Sequence, residues 1–139
     1  MTRQTTKHDA DSALIGHLLR RAGFGASRDQ IDEYKAKGYE ATVEWLLNPE
    51  YFEPEDQDLI DRYFIASVEA RSPGHADPQW SWRMVTTQKP LEEKIALFWH
   101  GLLAVGGIKL DHGEVMLAEI DMFRRIGLGK FREILQAIS

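Results

Sequence analysis

Cysteine is absent from this chain of 139 residues, which excludes disulfides, thiolate nucleophiles and cysteine-type zinc or iron–sulfur sites. Any metal would need histidine and carboxylate ligands. A long apolar run is lacking too: the longest, Ile95 to Val105, contains His100 and falls well short of the roughly 20 residues that span a bilayer. No membrane partner is expected. Nor is there an excess of basic charge, because 17 Lys and Arg against 22 Asp and Glu leave a net charge of −5, which repels phosphate backbones. Nucleic acid is therefore not an expected partner. The opening "MTRQTTKHDADSALIGHLLRRAGFG" has Asp9 and Asp11 where a signal peptide needs an apolar centre, so the chain as written reads as cytoplasmic. No two histidines have the HExxH spacing, and "GFGAS" completes neither GxGxxG nor GxSxG. No cofactor is expected.

What is present is helical periodicity. No segment shows the strict period-two alternation of a half-buried strand, so the fold class is all-α, a compact array of about seven to eight helices in one domain over 1–139. Ser12 opens a first helix with Leu14, Ile15, Leu18, Leu19 and Ala22 on one face and Gly23 as its stop. Ser27 with Gln30 three residues on has the capping-box spacing, and that helix ends at Gly38. "YEATVEWLLNP" is a short helix halted by Pro49. The next begins at Pro54 among acidic residues, with Leu59, Ile60, Tyr63, Phe64 and Val68 as its stripe. "SPGHADP" reads as a loop, and "QWSWRMVTTQ" as a helix with Trp80 and Met84 on one side. Pro90 starts another helix, and Asp111 with Glu114 starts one that stops near Gly127. In "GKFREILQAIS", Phe131, Ile134, Leu135 and Ile138 share a face with no stop signal after them. A helix ending on an apolar face predicts that a protein partner, or a missing C-terminal region of a larger helical domain, covers it.

The candidate site centres on His100. Placing residues at 100° per step makes Leu91, Ile95, Phe98, Leu102 and Val105 a core seam, with His100 opposite them among Ala96, Leu97, Leu103 and Ala104. A helix apolar all round is buried all round, and a ring nitrogen buried there needs a hydrogen-bond partner. On the helix at 111–126, Val115, Met116, Ile120, Met122, Phe123 and Ile126 form an arc with Glu119 near its middle. A buried carboxylate has to be paired or protonated, so Glu119 is expected to approach His100 or an arginine near it. Its competitor is structural: each is a satisfied polar residue with no chemical task. Arg20 and Arg21 on the first helix, and Arg124 and Arg125, which lie mostly off the core face of theirs, could clamp an anion. Solvated arginines explain them about as well, and Arg20 or Arg21 is the preferred anion contact. Trp80 and Trp82 with Arg83 could stack a planar ligand, but core and rim packing is the preferred reading.

Three ordered blocks carry a resemblance: "HLLRRAGFGAS" at 17–27, "WSWRMVTTQKPLEEKIALFWH" at 80–100 and "FRRIGLGKFREILQAIS" at 123–139. Together they resemble the opening part of the bacterial DUF1800 family, over nearly the whole chain. The resemblance implies a largely helical protein, several times longer in most relatives, many of which look exported and occur beside sulfatase-like proteins. It implies no activity. Where relatives commonly read "FWHNHF", Leu102 stands in place of the second histidine, which puts a His-x-His metal pair in doubt. Where they tend to read "QNELFRR", this chain has Glu119, Ile120, Asp121 and Met122 before the final three residues.

Two functions remain open at this level. One is the N-terminal part of a larger hydrolase-like enzyme acting on a polymeric or anionic substrate, with His100 as base or ligand, Glu119 orienting it and Arg20 or Arg21 contacting the anion. The other is a non-catalytic helical scaffold or interaction module.

Overall fold

A computed structural model describes residues 2–53, 56–64, 76–103 and 113–139, with side chains described from residue 10 onward except at 76–77 and 113–114. The described residues form eight α-helices and one short 3-10 turn, with no strand among them. The helices are α1 (Thr2–Ala22), α2 (Arg28–Lys37), α3 (Tyr39–Leu47), α4 (Gln57–Tyr63), α5 (Ala76–Thr86), α6 (Pro90–Leu103), α7 (Gly113–Ile126) and α8 (Phe131–Ile138). They group into two compact units, one of Met1–Phe52 with Lys89–Leu91 and one of Glu53–Gln88 with Glu92–Ser139.

In the first unit, Ile15, Leu19 and Ala22 of α1 and Thr42 and Leu46 of α3 are buried. Helix α1 runs back to Thr2, so Ser12 lies within it rather than at its start. Its first turns carry no apolar stripe for periodicity to detect, and Ser12 instead accepts a hydrogen bond from Lys35 Nζ at 3.3 Å. The stop also differs. Helix α1 ends at Ala22, but the positive φ falls at Gly25, at 106°, and not at Gly23. The capping box of α2 forms as its spacing requires: Ser27 Oγ accepts from Gln30 N at 3.3 Å and Gln30 Oε1 from Ser27 N at 2.8 Å. Helix α3 stops at Leu47, two residues before Pro49, which opens the 3-10 turn.

In the second unit, Asp56 caps α4 by accepting from Leu59 N at 3.0 Å. Pro54, Val68 and most of the "SPGHADP" stretch lie outside the described residues, but Ala76 to Pro78 form the first turn of α5 rather than loop. Proline is tolerated there because the first-turn N–H groups have no intrahelical acceptor. The Asp111 and Glu114 side chains also lie outside the described residues. The core is Trp80, Ala96, Met116, Ile120, Phe123 and Ile134, so α5 to α8 each contribute to it.

The facing of α6 departs from the expected seam at Phe98 and Leu102, whereas Leu91 and Ile95 are half-buried and Val105 lies outside the described residues. Phe98 and Leu102 are more than half exposed, while Glu93 and Ala96 are buried and Trp99 and Leu103 pack against the core. Both sides of this helix are apolar, so the wheel alone cannot choose between them. Packing against α5 and α7 selects the side bearing His100. Helix α7 turns its expected arc inward at Met116, Ile120 and Phe123, although Val115 is half exposed. It ends at Gly127, whose N–H reaches Phe123 O at 2.8 Å, and Trp99 Nε1–H donates to Gly127 O at 2.7 Å.

Candidate functional site

Glu93, Ala96 and His100 stand three and four residues apart on α6 and so share its inner face. The indole of Trp80 on α5 and the acidic and basic side chains of α7 meet that face. Glu93, with 3% of its side chain exposed, accepts from Trp80 Nε1 at 2.9 Å and from Arg124 Nε at 2.6 Å. Arg124 is itself 10% exposed and also donates from Nη1 to Asp121 at 3.1 Å. One carboxylate thus joins three helices. The expectation that Arg124 lies off the core is corrected: its guanidinium is buried because Glu93 offers it a charge-assisted hydrogen bond.

The structure brings His100 and Glu119 together, with Nδ1 3.7 Å from Oε2. That spacing is an ion-pair distance if the imidazole is protonated, but too long for a hydrogen bond. Both atoms are shielded from solvent and neither has a hydrogen-bond partner. Burial pushes the Glu119 carboxyl above its ordinary value, and the neighbouring His100 opposes that shift. The imidazole also meets the Trp80 ring edge to face, with centroids 5.0 Å apart.

Arg20 and Arg21 are exposed on the last turn of α1, in the first unit, whereas this polar cluster is built entirely from the second. Arg125 is largely exposed. Trp80 and Trp82 do not form one stacking surface: Trp80 is core, while Trp82 is partly exposed beside Phe64 at 5.9 Å. Arg83 is buried and donates to Gln57 Oε1. Among the described residues no three His, Asp or Glu side chains gather as a metal site, and no helix is long and apolar enough to cross a membrane.

Sequence reasoning missed Glu93. In "PLEEK" both acids suit the positive end of a helix dipole, which accounts for them without burial. The available signal was its seven-residue spacing from His100, two helical turns along the same face.

The second unit thus packs its helices around a buried ionic cluster that joins α5, α6 and α7. The chain belongs to the DUF1800 family: that family's model, described as "Protein of unknown function (DUF1800)", matches residues 17–139. No curated protein and no solved structure matches the chain.

Proposed function

We propose that this chain is a non-catalytic helical scaffold that presents an apolar surface of α6 and α8 to another protein surface. One observation carries the reading. Phe98, Leu102 and Phe131 are each more than half exposed, and the rings run on continuously, Phe98 edge-on to Trp99 at 4.9 Å and Trp99 stacked on Phe131 at 5.7 Å. Contiguous exposed apolar surface of this kind marks interaction sites more often than scattered single residues do. Its test is a triple variant, Phe98→Ser, Leu102→Ser and Phe131→Ser, compared with the parent by sedimentation and by binding of an apolar fluorescent dye. The parent should bind dye and associate as concentration rises, and the variant should do neither. A parent that stays monomeric and dark would defeat the proposal.

A second reading draws on Glu119. A carboxyl whose hold on its proton is strengthened by burial, set beside an imidazole, suits general acid–base chemistry, with His100 as base or ligand and Glu119 orienting it in a hydrolase-like enzyme acting on a polymeric or anionic substrate. Against it stands the burial of both facing atoms, which leaves a substrate no route to them in this conformation. Stability separates the two readings, because groups kept for chemistry are held at a cost to the fold. If the pair is structural, His100→Leu and Glu119→Met singly lower stability by about 1–3 kcal/mol, and together by less than the sum. Single variants more stable than the parent would favour the catalytic reading.

A further inference from the structure

A groove in the second unit lies where α4 meets α5, and none of its lining residues belongs to the apolar surface of α6 and α8 or to the His100–Glu119 pair. Its volume is about 440 Å³, and among the described residues Leu59, Ile60, Tyr63, Phe64 and Trp82 line it. Ile60 is buried, but the other sides are open to a ligand, since Leu59 is 48% exposed, Tyr63 79% and Trp82 42%. The indole of Trp82 is tilted by 52° to the ring of Phe64, with centroids 5.9 Å apart. Trp82 thus has its ring partner at the end of α4, not in Trp80. Apolar side chains gathered on one accessible concavity mark a ligand site, where the same side chains scattered singly would need no explanation.

The lining narrows the chemistry of its occupant. All five side chains are aliphatic or aromatic, and no charged residue is among them. Their charged neighbours in sequence are engaged with one another: Asp58 accepts from Arg62, Asp61 accepts from Gln57, and Arg83 donates to Gln57. An ion entering the groove would give up water without meeting a free counter-charge, which is costly, so the uncharged lining is matched by an uncharged ligand. A ring fits it best. Three aromatic side chains offer the tilted and offset contacts that aromatic pairs prefer at centroid separations of about 4.5–7 Å. The volume falls near the low end of the roughly 300–1,000 Å³ typical of small-molecule sites.

We propose that this groove reversibly binds a small, neutral aromatic molecule, its ring packed among Tyr63, Phe64 and Trp82. Binding would cover the exposed parts of Tyr63 and Trp82, and apolar surface removed from water is the main source of its affinity. The inference does not rest on the scaffold reading, whose surface shares no residue with the groove.

The probe is benzyl alcohol, titrated into the full chain to tens of millimolar while the Trp82 indole N–H and the Ile60 methyl signals are followed by NMR. The Trp82 signal is the one missing from Trp82→Phe. Both signals should shift and saturate, while the indole signals of Trp45 and Trp99 stay in place. Cyclohexylmethanol, which keeps the six-membered ring without its π system, should bind about two- to tenfold more weakly. Benzoate and benzylammonium, which carry the aromatic ring with a charge of either sign, should bind about fivefold more weakly or worse. Leu59→Asp sets a charge into the lining from a half-exposed position and should abolish the shifts. Should that variant not fold, Tyr63→Ala removes the most exposed ring of the groove and should weaken binding about fivefold, with thermal stability unchanged. The proposal is overturned by unmoved Trp82 and Ile60 signals, by equal or tighter binding of cyclohexylmethanol or of either charged probe, or by folded Leu59→Asp or Tyr63→Ala proteins that bind like the parent.

Discussion

Glu93 and Asp121 both pair with Arg124, yet their surroundings give the two contacts different weight. Asp121 is more than half exposed, so water screens its bond, and Asp121→Ala should cost no more than about 1 kcal/mol. Glu93 is buried with its partner. Removing it leaves the Arg124 Nε–H and the Trp80 indole N–H without their acceptor and the buried guanidinium with only the exposed Asp121, so Glu93→Ala should lower unfolding free energy by roughly 3–5 kcal/mol in urea titrations. Glu93→Gln, which keeps an acceptor for Trp80 but loses the charge, should fall between the two. Glu119 is a matter of pH instead. Its folded carboxyl holds a proton more tightly than the unfolded chain, where release occurs around the ordinary 4.5. Its contribution is therefore fully present below that value and is lost as pH rises through the folded pKa. Glu119→Gln should flatten this decline, seen as urea midpoints that fall less between the acidic range and neutrality than the parent's. A parent and variant declining in parallel would show that another group carries the pH dependence.

Among the elements, α8 depends on one side chain. Ile134 is its fully buried residue, whereas Phe131 and Leu135 are partly exposed. Ile134→Ala should cost about 2–5 kcal/mol and Leu135→Ala much less, as chemical denaturation would measure. The turn before α8 is equally constrained by packing. A Cβ on Gly127 would sit 2.3 Å from Phe123 O and 2.6 Å from Ile95 Cγ2, so Gly127→Ala has to move backbone as well as side chain. It should destabilise by about 1–3 kcal/mol or more and perturb Trp99 fluorescence, since Trp99 donates to the Gly127 carbonyl. Caps and stops of this kind were legible in the sequence. The Ser27–Gln30 box, the halt before Pro49, the start at Pro90 and the stop at Gly127 are set by contacts within a few residues, and such contacts are written in local spacing. The first turns of α1 and α5 were not legible, because polar residues with no stripe can enter a helix without leaving a periodic signal.

For the molecule as a whole, the decisive quantity is which apolar area is covered. Serine at Phe98, Leu102 and Phe131 together should change stability by only about 0.5 kcal/mol per site while removing dye binding, because these side chains already meet water. Hydrophobic content and its 3.6-residue period determined by themselves that the chain is all-α, where most of its helices lie, and that His100 and Glu119 each sit among apolar neighbours. Spacing along one helix could not say more, because α6 is apolar on both sides and either could face inward. Only the packing of α5 and α7 decided that Glu93, Ala96 and His100 turn to the core and Phe98 and Leu102 to the surface. The same packing placed Arg124 against Glu93. Contacts between residues 13 to 31 positions apart are made by tertiary structure alone, since no local period relates the two ends.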